Sequence, residues 1–326
     1  MKVLVAGGAG YIGSHTVKAL CQAGHQPVVL DTLEKGHPEA VVDCELVKGN
    51  VRDQELVVDL CRKRSIEAAM HFAAYIEVGE SMVDPLRYYI NNSMSTLAFI
   101  RNLVEGGVKT LIFSSTAAVY GQPEKTPITE DTQKIPVNVY GHSKLLVEEA
   151  LTWLSRQSDF RYAALRYFNA CGAHPSGLIG EDHRPESHLI PLILQVPLGK
   201  RERVSIYGED YDTPDGTCVR DYIHVTDLAR AHIRAMEYLS SGGESGSFNL
   251  GTGQGYSVRE IIDCARRITS HPIPADSVAR REGDPPRLVA DPSRAKAVLN
   301  WQAEASSLES IVASAWKWHS GHPRGY

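Results

Sequence analysis

The stretch Lys2-Val3-Leu4-Val5-Ala6-Gly7-Gly8-Ala9-Gly10-Tyr11-Ile12-Gly13 decides the fold of this chain. A short apolar strand runs into a turn with the spacing Gly7-x-x-Gly10-x-x-Gly13, and a helical pattern follows. Gly7 allows a tight turn, Gly10 leaves room for a pyrophosphate, and Gly13 lets the helix pack closely on the strand. This order predicts a dinucleotide-binding βαβ unit, with phosphates on free N–H groups at the helix N-terminus.

The next strand, Pro27-Val28-Val29-Leu30, ends on Asp31. A carboxylate at this place can accept hydrogen bonds from both hydroxyls of an adenosine ribose, and it repels a 2′-phosphate. The sequence therefore predicts NAD rather than NADP. A glycine-rich loop alone would also fit an ordinary tight turn, but the strand and acid that follow favour a binding site.

Length and composition predict a globular protein with one principal domain and a smaller second one, because 326 residues can enclose a large core. The net charge is -5, and no basic run is suited to nucleic acid. No apolar run approaches the roughly eighteen residues of a membrane span. The first residues lack a basic signal-peptide region, so we expect a cytoplasmic protein without nucleic-acid or membrane partners.

The cysteines and histidines do not form a familiar metal-binding pattern. The 6 cysteines include no Cys-x-x-Cys pair, and no two of the 13 histidines have the spacing His-x-x-x-His. We therefore expect reduced thiols and no metal.

Strands and helices alternate through the first half of the chain, which predicts a doubly wound parallel sheet covered on both faces, an α/β fold. Candidate strands span 2–6, 27–31, 44–48, 68–73, 110–115 and 161–167, and candidate helices span 11–23, 53–64, 84–104 and 140–155. Ligands of such sheets bind outside the carboxyl ends of the strands. This rule makes Ser114-Ser115-Thr116 and Phe168-Asn169 candidate site residues.

The composition of the sequence changes after about residue 170, where Pro- and Gly-rich stretches alternate with short apolar segments. We predict a Rossmann-type NAD-binding domain over 1–170, joined by a segment near 220–250, and a smaller mixed α/β C-terminal domain over 171–326. Helix starts are predicted at Thr226, at the capping box Ser257-x-x-Glu260, at Asp291-Pro292 and at Ser306-x-x-Glu309.

Tyr140 and Lys144 are spaced to share one face of a helix. A tyrosine acts as a base near neutral pH only if its pKa falls about three units from about 10, which requires about 4 kcal/mol. A cation about 4 Å away supplies about 4 kcal/mol at an effective dielectric near 20, so the ammonium of Lys144, helped by the positive nicotinamide of NAD⁺, is of the right magnitude. Chance alone gives almost one such pair among 14 tyrosines. The pair therefore gains its meaning from the predicted NAD site.

Several motifs together resemble the extended short-chain dehydrogenase/reductase (SDR) superfamily. They are the glycine loop, His71-Phe72-Ala73-Ala74, Asn91-Asn92, Ser114-Ser115-Thr116-Ala117-Ala118-Val119-Tyr120-Gly121, Tyr140-x-x-x-Lys144 and Arg166-Tyr167-Phe168-Asn169. Three later stretches resemble the UDP-glucose 4-epimerase branch: Gly208-Glu209-Asp210-Tyr211, residues 215–225, and Arg280-Arg281-Glu282-Gly283-Asp284. The likeness runs from residue 1 to the helix with Trp316-Lys317-Trp318.

The resemblance implies an NAD-dependent epimerase that inverts C4 of a UDP-hexose through a transient 4-keto sugar. Tyr140 would take the proton of the 4-hydroxyl, Lys144 would support it, and Thr116 would hydrogen-bond that hydroxyl. Similar dehydratases carry Asp-Glu after the threonine. Ala117 and Ala118 stand there in this chain and cannot act as acid or base, which disfavours dehydration. A non-catalytic NAD sensor and a net dehydrogenase remain as rivals.

The resemblance also implies the residues of both ligand sites. The cofactor site would comprise Gly7, Gly10, Tyr11, Ile12, Gly13, Asp31, Asn50, Val51, Phe72, Ala73, Ala74, Ser114, Tyr140, Lys144 and Tyr167. Asn50 and Ile76 replace an acid and a lysine of some members. The UDP-sugar site would comprise Thr116, Tyr140, Asn169, His188, Leu189, Tyr207, Arg220, Arg281 and Asp284.

For some predicted substrate residues, a purely structural role is an alternative to substrate binding. Arg220 could instead pair with Asp221, and Arg281 could pair with Glu282 or Asp284. Tyr207 could belong to the core, and Asn169 could be a turn residue.

His188 could attract phosphate below about pH 6.5 or could be a hydrogen-bonded loop histidine. Leu288 stands where members restricted to UDP-glucose carry tyrosine, so UDP-N-acetylhexosamines are alternative substrates, as are UDP-pentoses.

Related enzymes dimerise through two helices per subunit. The segments near 84–104 and 140–155 therefore predict a homodimer.

Overall fold

The computed structural model describes residues 1–281 and 283–326. Over these residues the strands are β1 Lys2–Ala6, β2 Gln26–Asp31, β3 Glu45–Lys48, β4 Ala68–His71, β5 Thr110–Thr116, β6 Arg161–Tyr167, β7 Asn169–Cys171, β8 Val204–Tyr207, β9 Val219–Arg220, β10 Tyr222–His224, β11 Gly246–Leu250, β12 Tyr256–Ser257, β13 Ala275–Val278 and β14 Arg287–Leu288. The helices are α1 Tyr11–Gln22, α2 Gln54–Lys63, α3 Val78–Val83, α4 Pro85–Tyr88, α5 Ser95–Glu105, α6 Val139–Gln157, α7 Leu189–Leu194, α8 Val225–Ser240, α9 Val258–Thr269, α10 Ser293–Leu299 and α11 Leu308–Gly321.

The principal sheet has the order β11-β6-β5-β4-β1-β2-β3, and all of its neighbouring strands are parallel. Side chains of successive strand residues point to opposite faces, and both faces are apolar. Val3 and Val5 of β1 belong to one buried cluster, whereas Leu4 and Ala6 belong to another. Helices α1 and α8 cover the first face, and α2, α5 and α6 cover the second. The predicted doubly wound α/β fold is confirmed.

The strand predictions agree with the principal sheet to within about two residues, but β11 was not predicted. It extends the sheet beyond β6, with Phe248 opposite Leu165. A third buried cluster joins α7, α9 and α11 with β8, and it forms the core of the smaller C-terminal part. None of the helices described here combines the length and the apolar character that a membrane span requires.

Three predicted helix starts differ from the structure. Helix α8 begins at Val225 because His224, not Thr226, is its N-cap and accepts the N–H of Thr226. Helix α11 is capped by Ser307, whose side chain accepts the N–H of Ser310. The hydroxyl of Ser306 instead donates to the buried carboxylate of Asp227 at 2.6 Å.

Helix α10 begins at Ser293, and Pro292 is its N-cap rather than its first turn. The capping box of Ser257 and Glu260 is present as predicted. The continuous helix predicted over 84–104 is divided into α4, a π-helix over Tyr89–Met94, and α5.

Candidate active site

The end of β5 and the start of α6 bring the predicted catalytic residues together. Thr116 is the last residue of β5, and Tyr140 lies in the first turn of α6, whose N-cap Asn138 accepts the N–H of Gly141 at 2.8 Å. A Cβ at Gly141 would lie 2.5 Å from the carbonyl oxygen of Ala118. Glycine therefore lets α6 approach the loop after β5, which brings the Tyr140 phenol close enough to Thr116 for a polar contact that lowers its pKa.

Lys144 lies one turn further along α6 and is buried. Its Nζ donates to the carbonyl oxygen of Ser114 at 2.9 Å and lies 5.0 Å from the ring centroid of Phe113. Burial lowers the pKa of Lys144 to about 7, although the negative charge of Glu148 acts in the opposite direction. Lys144 is thus held at the carboxyl end of β5, where the predicted site lies.

The expected low pKa of Tyr140 is not produced by the protein groups alone. Burial raises the pKa of its phenol above the ordinary value, and the polar contact with Thr116 offsets only part of this effect. Desolvation disfavours the phenolate, and the ammonium of Lys144 is engaged with Ser114. The protein groups alone therefore do not lower the pKa of Tyr140, and its lowering by Lys144 together with the positive nicotinamide of NAD⁺ stays a prediction.

The glycine loop has the close backbone contacts that the sequence analysis expected. Gly7 has a φ of +78°, and a Cβ there would lie 2.5 Å from the backbone nitrogen of Ala73. The loop therefore lies against Phe72-Ala73-Ala74, which follows β4. A Cβ at Gly13 would lie 2.2 Å from the carbonyl oxygen of Gly7. Gly10 is the N-cap of α1 and provides no side-chain cap, so the first turn of α1 can receive an anion.

Asp31 ends β2 beside this loop and is 9% exposed. Oδ2 accepts the N–H of Ala9 at 3.0 Å, and Oδ1 accepts the N–H of Leu33 at 2.9 Å. Each carboxylate oxygen has two lone pairs, so both can still accept from ribose hydroxyls. The glycine cradle, the free helix N-terminus and this fixed carboxylate fit a dinucleotide such as NAD.

The other predicted cofactor residues surround the carboxyl edge of the sheet. Tyr11 donates from its hydroxyl to the carbonyl oxygen of Gly172 at 2.6 Å, and Ile12 follows it in α1. Tyr167 ends β6, and burial raises the pKa of its phenol, although its polar contact with Ser114 acts in the opposite direction. Val51 is buried, but the Asn50 side chain accepts the N–H of Arg52 in a local turn.

Predicted substrate residues meet around Asp284. Arg220 places Nη2 3.5 Å from one oxygen of this carboxylate, and Arg281 places Nε 3.0 Å from the other. The guanidinium of Arg281 also lies 5.0 Å from the ring centroid of Tyr207, which is 45% exposed and therefore not a core residue. The two guanidinium groups lie close enough to share one anionic ligand.

The proposed pairing of Arg220 with Asp221 is wrong. Asp221 is buried and accepts N–H groups from Thr252, Gly253 and Ala290. Arg281 pairs with Asp284, and its other proposed partner, Glu282, lies outside the described residues.

Asn169 opens β7, and its Nδ2 donates to the carbonyl oxygen of Asp221 at 3.0 Å. Leu288 lies in β14 opposite Arg220. It packs against a buried cluster that includes Val119 and Tyr120, which follow Thr116. Leu288 is therefore close both to the loop that follows Thr116 and to Arg220.

His188 caps α7 just before Leu189, and its Nδ1 lies 3.0 Å from Glu181 and 2.9 Å from Glu186. Burial lowers the pKa of His188, but the two carboxylates outweigh this effect and raise it to about 11. His183 adds a second imidazole to the group. This cluster was not predicted, because the expectation of no metal rested on Cys-x-x-Cys and His-x-x-x-His spacing, whereas the Glu-x-His spacing that occurs twice over 181–188 was the available signal.

The comparisons with known proteins agree over nearly the whole chain. The sequence model of the NAD dependent epimerase/dehydratase family matches residues 3–251. A UDP-glucose 4-epimerase of Halalkalibacterium halodurans is 51% identical, and the alignment covers 100% of this chain and 98% of that protein.

Solved structures give the same result. A crystal structure of a UDP-glucose 4-epimerase has a TM-score of 0.98 at 49% identity, covering 100% of this chain and 99% of the other. The UDP-glucose 4-epimerase of Bifidobacterium longum, solved in complex with NAD+ and UDP, has a TM-score of 0.93 at 39% identity and covers 100% of both chains.

Proposed function

The chain belongs to the NAD dependent epimerase/dehydratase family, and from this premise we propose that it inverts C4 of a UDP-hexose, with UDP-galactose and UDP-glucose as the pair. The observation that carries this function is the convergence of Thr116, Tyr140 and Lys144 at the carboxyl end of β5. The glycine loop and Asp31 lie at the same edge of the sheet.

The cofactor is NAD, which supplies a hydride acceptor and donor for C4 of the sugar when it is bound. Tyr140 takes the proton of the 4-hydroxyl and later returns it to the 4-keto sugar. Thr116 orients that hydroxyl through its own hydroxyl group. Inversion follows if the keto sugar turns over between the two transfers.

Lys144 supports Tyr140 by its charge rather than by direct proton transfer. Burial disfavours the protonated form of Lys144 and lowers its pKa. A bound NAD⁺ would supply a cationic nicotinamide, and its charge near Tyr140 would favour the deprotonated tyrosine. We infer that Tyr140 reaches the low pKa needed for catalysis only when NAD is bound, because the protein groups alone raise this pKa.

Arg220 and Arg281 are proposed to hold the diphosphate of the substrate. A UDP-sugar diphosphate can take the place of Asp284 as their partner, because guanidinium groups form strong two-point hydrogen bonds with phosphate. Tyr207 would then lie beside the uracil ring, and Asn169 would contact the sugar or phosphate. Leu189 and His188 would border the same ligand.

The decisive experiment incubates the purified protein with UDP-galactose and separates the products. An epimerase gives UDP-glucose in an approach to equilibrium from either sugar, and NADH does not accumulate. A net dehydrogenase would need added NAD⁺ and would release NADH in proportion to substrate. An NAD sensor would give no product.

A second candidate is a 4-epimerase that acts mainly on UDP-N-acetylhexosamines. Leu288 favours it, because leucine leaves more room than tyrosine beside the catalytic loop. UDP-N-acetylgalactosamine and a UDP-pentose should therefore be tested in the same assay. A higher kcat/KM for either one than for UDP-galactose would replace the first assignment.

We propose that the chain works as a homodimer. Large apolar side chains are exposed on the segments predicted for this purpose: Leu86, Ile90, Met94, Leu97, Val104 and Trp153. Burial of such a surface against a second copy would stabilise the dimer. Sedimentation of the protein and of Leu86→Glu would test this, since a charge in the interface should yield monomers. A wild-type monomer would contradict the proposal.

The domain division and the cytoplasmic location are further proposals. Residues 1–170 would form the NAD-binding domain together with 220–250, which contains α8 and β11 beside the principal sheet. Residues 171–326 would otherwise form the UDP-sugar domain. The six cysteines are all free thiols, as suits a reducing compartment.

A further inference from the structure

The loop before α7 contains a cluster of ligand atoms outside the catalytic residues. Glu181, His183, Glu186 and His188 each contribute one atom, and these atoms all lie within 4.8 Å of one another. Nδ1 of His183 is 3.2 Å from Glu181 and 3.8 Å from Glu186. Nδ1 of His188 is 3.0 Å and 2.9 Å from the same two carboxylates.

These separations match the edges of a small coordination tetrahedron. Zn²⁺ binds imidazole nitrogen and carboxylate oxygen at about 2.0–2.2 Å, which places tetrahedral ligand atoms about 3.3–3.5 Å apart. Three of the four nitrogen–oxygen distances, 2.9, 3.0 and 3.2 Å, are slightly shorter than this value, and the fourth, 3.8 Å from His183 to Oε2 of Glu186, is slightly longer.

Two of the four ligand atoms lack the hydrogen bonds that buried polar atoms normally make. Oε1 of Glu181 and Nδ1 of His183 are buried, and neither has a hydrogen-bond partner among the residues described. They lie only 3.2 Å apart, so their alignment rather than their distance prevents the bond. The Glu181 side chain is 4% exposed, and its Oε1 has two imidazole nitrogens within 3.2 Å but no aligned hydrogen bond, which is costly for a buried carboxylate oxygen. Ligands that point at a common cation have this geometry.

The surroundings hold the ligands in place. Oε1 of Glu186 accepts the backbone N–H groups of Ser187 and His188, each at 2.8 Å. The ring of His183 stands edge-on to Tyr11, with centroids 6.0 Å apart. Such outer contacts orient metal ligands and raise affinity.

We propose that Glu181, His183, Glu186 and His188 bind one Zn²⁺ ion. Two imidazoles disfavour Ca²⁺ and Mg²⁺, which prefer oxygen ligands, and four protein ligands close a tetrahedral site. The ion is therefore structural. It fixes the loop that leads into Leu189, and His183 connects that loop to Tyr11 in the first turn of α1.

The test uses the full chain, stripped with a chelator, dialysed against Zn²⁺ and analysed for bound metal by mass spectrometry. The wild type should bind one Zn²⁺ per chain. His183→Asn/His188→Asn should lose affinity by more than the roughly 10- to 100-fold that outer-shell changes cost. The matched control His174→Asn/His271→Asn removes two histidines outside the cluster and should bind like the wild type.

Circular dichroism of the metal-free variants shows whether they fold. Glu186→Gln is a milder variant, and it should also weaken binding. X-ray absorption at the zinc edge of the wild-type complex should show four nitrogen or oxygen ligands and no sulfur. A wild type that retains no Zn²⁺, or equal binding by both double variants, overturns the proposal.

Discussion

Glu148 and Arg166 form a buried two-point ion pair behind the strand that ends at Thr116. Arg166 Nε lies 3.0 Å from Oε1 of Glu148, Nη2 lies 2.5 Å from Oε2, and the two side chains are 5% and 4% exposed. Glu148 also accepts from the hydroxyl of Ser115 at 2.5 Å. Because Glu148 follows Lys144 by one helical turn, this pair anchors α6, with Tyr140 and Lys144, to β5 and β6.

Replacement of Glu148 by alanine should lower the free energy of unfolding by about 3–5 kcal/mol, because Arg166 would remain buried without a counter-charge. Urea unfolding measures this loss. Glu45→Ala removes a comparable but exposed partner of Arg64 and should cost about 0–1 kcal/mol. Equal losses for the two variants would contradict the assigned role of burial.

The sequence predicted the principal sheet well because its strands carry an uninterrupted apolar pattern and end in short polar turns. The π-helix over Tyr89–Met94 was not predictable, since it depends on tertiary contacts. Asn92 exchanges hydrogen bonds with the backbone of Tyr75 at 2.9 Å in both directions. Ser306 and Ser307 could each cap α11 by sequence, and only the position of Asp227 decides between them.

In the candidate site, too, some features could be predicted from the sequence and others depend on tertiary contacts. Sequence motifs indicated Thr116, Tyr140 and Lys144, but the sign of the tyrosine pKa shift depends on burial, which the motif does not encode. The two-arginine arrangement around Asp284 likewise requires the fold, because Arg220 and Arg281 lie on different segments.

Tyr140→Phe should reduce kcat by about 10²- to 10⁴-fold, because the phenol that accepts and returns the proton is lost. Steady-state rates with UDP-galactose measure the effect. NAD binding, followed by fluorescence titration, should change much less. Tyr162→Phe is the control, since its hydroxyl bonds with Thr152 away from the site. Turnover by Tyr140→Phe close to that of the wild type would exclude Tyr140 as the base.

His71 should make the fold sensitive to acid. Burial and the nearby charge of Lys144 lower its pKa to about 3, against about 6.5 when exposed. Between these values the unfolded state binds more protons, so stability present above pH 6.5 is lost as the pH falls toward 3. His71→Phe should reduce this slope by roughly 1.4 kcal/mol per pH unit in urea unfolding. Phe99→Leu should shift the curve without changing its slope.

Leu288→Tyr should narrow the sugar specificity. The larger side chain would extend from β14 toward the loop after Thr116 and occupy the space proposed for an N-acetyl group. Assayed at equal concentrations of UDP-galactose and UDP-N-acetylgalactosamine, the wild type should act on both, and Leu288→Tyr should lose at least about tenfold in kcat/KM for the acetylated sugar alone. Leu288→Met preserves volume and should behave like the wild type. A wild type that ignores the acetylated sugar would refute this role, because no space would then remain for tyrosine to fill.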